Sequence, residues 1–104
     1  QPVAEIVFDM YVNAGSIAIK LLQRVLNKLG NGLVVDNILG PKTLAAVNAS
    51  DPAAVHDMYK GARINYYLKL VNRFPKQVVF LKGWLNRVNS FIDLKKKLES
   101  ERSS

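Results

Sequence analysis

Apolar residues recur at steps of three and four along nearly the whole chain, a period that suits helices packed face to face and does not suit strands. Val3, Ile6, Val7 and Met10 make the first stripe. Pro2 fits the turn ahead of it, where a missing N–H costs nothing, and Glu5 complements the helix dipole there. This helix should end at Asn13-Ala14-Gly15, with Gly15 as a left-handed cap. Ser16 then stands at the N-cap of a second helix, whose stripe is Ala18, Leu21, Leu22, Val25, Leu26 and Leu29 and whose stop is Gly30.

Residues 31–40 interrupt the pattern. Gly32, Asn37 and Gly40 can supply positive φ, and Asp36 can fold its carboxylate onto nearby backbone N–H groups. Leu33-Val34-Val35 and Ile38-Leu39 read as short extended pieces that tuck apolar side chains beneath the loop. Pro41 opens a short helix running to about Val47, and Asp51-Pro52, a cap followed by proline, opens a long one. Val55, Met58, Tyr59, Ala62, Tyr66 and Leu70 line its expected inner face. Gly61 in such a helix costs about 1 kcal/mol relative to Ala, which predicts a neighbour packed closely against it. Phe74-Pro75 ends the pattern, and a last helix carries Val78, Leu81, Trp84, Leu85, Val88, Phe91 and Ile92. The expectation is an all-α fold of about five helices: one domain over residues 1–94, then a polar, frayed tail over 95–104 that begins Lys95-Lys96-Lys97.

With 104 residues, 49% of them hydrophobic, the chain is long and apolar enough to bury a core. Fifteen Lys and Arg oppose eight acids, for a net charge of +7, which favours an anionic partner such as nucleic acid, acidic lipid or an acidic wall polymer. The basic residues spread over all the helices rather than along one, and the loop at 31–40 is too long for a helix-turn-helix, so nucleic acid is not expected. No apolar run approaches the roughly 18 residues of a membrane span. Every apolar stripe is needed for the core, which leaves none for a membrane surface. The chain has no cysteine, hence no disulfide or thiolate chemistry. Gln1-Pro2-Val3-Ala4-Glu5 has neither an initiator Met nor the basic start of a signal peptide, and reads as a piece of something longer.

No residue set completes a catalytic or metal site. The lone histidine, His56, has Pro52, Ala53, Tyr59 and Lys60 as helical neighbours, none a good ligand, and is expected at the surface. Glu5 and Asp9 share one helical face, whereas a glycosidase needs its carboxyls on opposite sides of a bond. The serines lack a nucleophile-elbow context, and Gly30-Asn31-Gly32 lacks the strand that a phosphate loop follows. Catalytic residues, metal and cofactor are therefore all expected to be absent.

Three ordered segments resemble a known family. They are Phe8-Asp9-Met10-Tyr11-Val12-Asn13-Ala14-Gly15 with Leu21-Leu22-Gln23, then Asp36-Asn37-Ile38-Leu39-Gly40-Pro41-Lys42-Thr43-Leu44-Ala45-Ala46, then Phe80-Leu81-Lys82-Gly83-Trp84-Leu85-Asn86-Arg87-Val88 preceded by Arg63 and Tyr66-Tyr67. Together they resemble the C-terminal, peptidoglycan-binding half of the glycoside hydrolase family 108 lysozymes, phage-like muramidases also described as secretion activators. The middle segment is also similar to the Asp-Gly-x-x-Gly-Pro-x-Thr loop of general peptidoglycan-binding modules, with Asn37 in place of Gly. Asn is the non-glycine residue most tolerant of the left-handed region. In the family a catalytic Glu lies upstream in a Glu-Gly-Gly context, followed by Asp-x-Gly-Gly-x-Thr, and neither stretch occurs here.

The resemblance implies recognition of peptidoglycan and completion of a muramidase cleft whose general acid belongs to a missing N-terminal half. It also implies a periplasmic or cell-wall-facing location. The alternative is a structural or protein-interaction helical domain of a phage lysis or secretion apparatus, with no glycan contact. The candidate substrate-binding residues are Asn13, Gln23, Asp36, Lys42, Thr43, Arg63, Trp84 and Arg87, and each has a structural alternative. Asp36, Gly40 and Thr43 build the loop-to-helix turn, while Lys42 and Thr43 sit where first-turn N–H groups can meet a carboxylate or acetamido oxygen. The amides of Asn13 and Gln23 suit N-acetyl and peptide groups, or buried backbone. Arg63, four residues from both Tyr59 and Tyr67, is either held by carbonyls and a carboxylate such as Asp9 or presented to muramyl-peptide carboxylates. Trp84 and Arg87 share a helical face, with Trp84 either core or a platform for a sugar ring.

Overall fold

The stripe Val3, Ile6, Val7 and Met10 forms the inner face of α1 (Pro2–Ala14), and all four side chains are buried. These positions come from a computed structural model that describes residues 2–91. Gly15 ends the helix at φ +67°, its N–H donating to the Tyr11 carbonyl at 2.8 Å. Helix α2 (Ile17–Lys28) follows at once and buries Ala18, Ile19, Leu21, Leu22, Gln23, Val25 and Leu26. Ser16 stands at its N-cap in a helical conformation and makes no capping bond with its side chain, contrary to expectation. Gly30 closes α2 at φ +101°, and Asn31 then donates its backbone N–H (3.2 Å) and side-chain amide (2.9 Å) to the Leu26 carbonyl. Leu29, expected in the core, is exposed.

Helix α3 (Pro41–Ala49) packs on α2, and α4 (Pro52–Arg73) packs on both α1 and α2. The Asp51 carboxylate accepts from the Ala53 N–H at 3.3 Å, as the Asp-Pro pair predicts. A 3₁₀ turn at Pro75–Gln77 leads to α5 (Val78–Asn89), which lies along α4. The described residues thus form five α-helices and no strand, with the core between α1, α2 and α4. The fold is all-α. The expected boundary at residue 94, Ile92 and the lysine run lie outside the described residues.

The inner face of α4 is rotated from the expected one. Val55, His56, Tyr59, Arg63 and Tyr67 are buried, while Met58, Ala62 and Tyr66 flank the core. The reason is polar. Tyr59 donates its hydroxyl to the Ala18 carbonyl at 2.8 Å, and burial pushes its phenol pKa upward. Arg63, fully enclosed, reaches partners on α1 that no purely apolar side chain would seek. His56 is 2% exposed, so its expected surface position is wrong. Nothing packs closely on Gly61: a Cβ there would meet open space. On α5 only Val88 is buried, with Leu81 and Trp84 partly covered, while Val78, Val79 and Phe80 face outward.

Candidate functional site

The loop between α2 and α3 is held by one side chain. Gln23, 1% exposed, sits among donors and acceptors from three points of the loop. Its amide nitrogen lies 2.9 Å from Asp36 Oδ1, 3.1 Å from the Ile38 carbonyl and 3.2 Å from Thr43 Oγ1. Its amide oxygen accepts from the Asp36 and Asn37 N–H groups at 3.2 and 3.1 Å. Asp36 Oδ1 accepts in turn from the Ile38 N–H at 3.0 Å, the fold-back expected of an aspartate here. The Gln23 amide, then the Ile38 N–H, hold the Asp36 carboxyl below its ordinary pKa. Asn37 takes the left-handed conformation at φ +64°, which Asn tolerates better than any other side-chain-bearing residue. Gly40 is extended, and Gly32 is not among the positive-φ residues, so Asn37 alone provides the turn.

A second tie fixes the start of the loop. Asn27 donates to the Leu33 carbonyl at 2.9 Å and accepts the Leu33 N–H at 2.7 Å. Leu33 packs against the core, but Val34, Val35, Ile38 and Leu39 are exposed rather than tucked beneath the loop. Saturating the polar groups through Gln23 leaves this loop's apolar side chains facing outward.

Leu39 of that outward face joins one wall of an apolar groove of about 660 Å³. Leu39, Leu44 and Val47 form this wall, Phe8 and Tyr11 of α1 the other, and Ile19 and Leu22 of α2 the floor. Phe8 is 68% exposed and Leu44 47%. The expectation that every apolar stripe is consumed by the core is therefore wrong for α1. Phe8, Tyr11 and Val12 fall outside its buried stripe, a departure visible in the helical spacing itself.

On the opposite side of α1, Asp9 binds two arginines. Arg63 Nη2 lies 3.1 Å from Asp9 Oδ2, and Arg87 donates to Oδ1 through Nε at 2.9 Å and through Nη2. Arg63 also donates to the Tyr67 hydroxyl (3.1 Å) and the Ile6 carbonyl (3.4 Å), and the Tyr67 hydroxyl reaches Met10 Sδ at 3.3 Å. Burial opposes ionisation of Asp9, but the hydrogen bonds from Arg87 and Arg63 outweigh it and leave the carboxyl below its ordinary pKa. Asp9 in return raises the pKa of Arg87 through that hydrogen bond. Trp84 is half-buried, stacked on Tyr67 with ring centroids 5.0 Å apart.

The eight candidate residues thus divide. Gln23, Thr43 and Arg63 are buried and bonded to internal partners, an arrangement that agrees with the structural alternative expected for each. Asp36 is exposed, with its carboxylate engaged by Gln23 and Ile38. Asn13, Lys42 and Arg87 face solvent, Arg87 while paired to Asp9. Asn13 is exposed whereas Gln23 and Arg63 are buried, so the three do not share an open surface. Among the described residues no group of His or acids is arranged to hold a metal, and no helix is long and apolar enough to cross a membrane.

Residues 17–89, which carry the pinned loop and every helix after α1, match the model of a family described as a predicted peptidoglycan domain. The chain belongs to that family. No curated protein and no solved structure matches it significantly. Membership in the peptidoglycan-domain family supports peptidoglycan as the partner and a cell-wall-facing location. The match starts after α1, so Phe8 and Tyr11 in the groove and Asp9 in the arginine cluster are contributed from outside it.

Proposed function

We propose that this chain is the peptidoglycan-recognising C-terminal part of a family 108-type muramidase, completing a cleft whose general-acid Glu lies in a separate N-terminal half. The observation that carries the reading is the Gln23 pin within the family-matched residues. It fixes Asp36–Thr43 in one shape and leaves Lys42, in the first turn of α3, exposed to solvent. A prearranged loop loses little entropy on binding, which is where weak polymer recognition is won. Asn13, Lys42 and Arg87 are the proposed polymer contacts, and Gln23, Asp36, Thr43 and Arg63 hold them in position. Trp84 is assigned to packing, through its stack on Tyr67.

The apolar groove supports a chain that works against a second protein surface. In the proposed parent, the catalytic half covers Phe8, Tyr11 and Leu44 and brings its acid within hydrogen-bonding reach of a sugar held by this domain. The same groove is what favours the alternative, a protein-interaction domain without glycan contact. Rejoining experiments separate the two. The N-terminal half of the parent should be inactive alone and should cleave glycan when joined to this domain, and Asn13→Ala should lower turnover without moving the thermal transition. Full activity of the N-terminal half by itself overturns the cleft-completing role.

A further inference from the structure

Helix α2 carries Lys20, Arg24 and Lys28 at successive steps of four and no acidic residue, so its solvent face is a basic stripe despite the even spread of charge elsewhere. Arg24 and Lys28 border a cleft of about 320 Å³ between α2 and α4, and Lys69 of α4 closes its other side. Among the described residues none of these three cations has a carboxylate partner. The sole acid of α4, Asp57, lies more than three turns before Lys69. Three like charges around one concavity repel one another and focus a positive potential into it, a cost that an anion relieves. The floor is apolar, made by Leu21, Val25 and Ala62, and the Asn65 amide and the Tyr66 ring stand beside it.

We propose that this cleft binds a short peptide bearing free carboxylates, the chemistry of peptidoglycan's stem peptides. This proposal rests on the peptidoglycan reading above and assigns the peptide, as distinct from the glycan, to a place away from the Asp36–Thr43 loop. The mixed lining decides for a peptide over a bare phosphate polymer. Carboxylates meet Arg24, Lys28 and Lys69, a peptide amide meets Asn65, and an aliphatic side chain covers the floor. A phosphodiester backbone would leave that floor unused. The volume sits at the small end of ligand pockets, enough for a few residues and too little for a duplex.

The test titrates the full chain with a soluble muramyl tripeptide and follows backbone amide shifts. Shifts should gather at Arg24–Lys28 and Asn65–Lys69. The triple variant Arg24→Gln, Lys28→Gln, Lys69→Gln changes only exposed side chains and should bind on the order of tenfold more weakly. The same tripeptide with its carboxylates amidated should bind the unaltered chain as weakly as that. Equal affinity for the amidated peptide, shifts confined to other faces, or tighter binding of inorganic phosphate or a DNA duplex at the same ionic strength overturns the proposal. If the chain sediments with intact peptidoglycan while the tripeptide leaves the cleft untouched, this inference falls and the proposed function stands. If the chain fails to sediment at all, both fall.

Discussion

Replacing Gln23 by Ala tests how the loop between α2 and α3 is held. The side chain is buried and faces five polar partners, but an amide has two hydrogens, so it serves at most two of its three oxygen neighbours at once. With the two N–H groups it accepts, that makes four simultaneous bonds, each worth about 1 kcal/mol net. Asp36 and Ile38 are exposed and regain water in the variant, whereas Thr43 is buried and does not. Counting partial recovery, and adding the lost burial of the aliphatic stem at about 0.8 kcal/mol per CH₂, the expected cost is roughly 3 kcal/mol. For a domain of this size that lowers the thermal midpoint by on the order of 10–20 °C. Gln23→Glu should cost at least as much, because it sets a second carboxylate where an N–H₂ now faces Asp36 Oδ1 at 2.9 Å. Denaturant unfolding gives the free energies, and amide shifts over residues 36–43 report the loop. A loss below about 0.5 kcal/mol for Gln23→Ala, a typical neutral surface change, with unchanged loop shifts would refute the pin.

Two further outcomes follow from the opposite face. Trp84→Ala should destabilise by about 2 kcal/mol, less than the 3–5 kcal/mol of a fully buried Trp, because the ring is only half-covered; calorimetry checks it, and a loss of wall binding without a loss of stability would make Trp84 a sugar platform instead. Asp9 has a folded-state pKa below its unfolded one, so its contribution is present above the ordinary Asp value of about 4 and lost as pH falls through the folded pKa. Stability against unfolding should therefore fall on acidification through that window, and Asp9→Asn should flatten the dependence; an unchanged slope in the variant would show that Asp9 does not set it.

Much of the fold is legible in the sequence because its helices bury ordinary apolar stripes. The α1 face, the Gly15 and Gly30 stops and the Asp51 cap all follow from spacing and local stereochemistry. The α4 face does not, because Arg63 and Tyr59 are buried through partners on α1 and α2 that spacing along one helix cannot reveal. Asn37 and Asp36 announce the turn between α2 and α3. The role of Gln23 depends on residues 13 to 20 positions away, and its amide suits a ligand and a loop equally well until those partners are in place. The groove is only half legible. Helical spacing already sets Phe8 outside the buried α1 stripe, but only the assembled packing brings Leu39 and Leu44 opposite it. The α2–α4 cleft was half-visible: the steps of four from Lys20 to Lys28 are in the sequence, but Lys69 joins them only through helix packing.

Co-sedimentation of the purified chain with insoluble peptidoglycan at low ionic strength measures directly whether this chain recognises peptidoglycan. The chain should pellet with the wall polymer, added salt should weaken the association because a net charge of +7 contributes to it, and no reducing ends should be released. A chain that stays in the supernatant at low salt, or that by itself releases reducing ends from the glycan, would contradict these expectations.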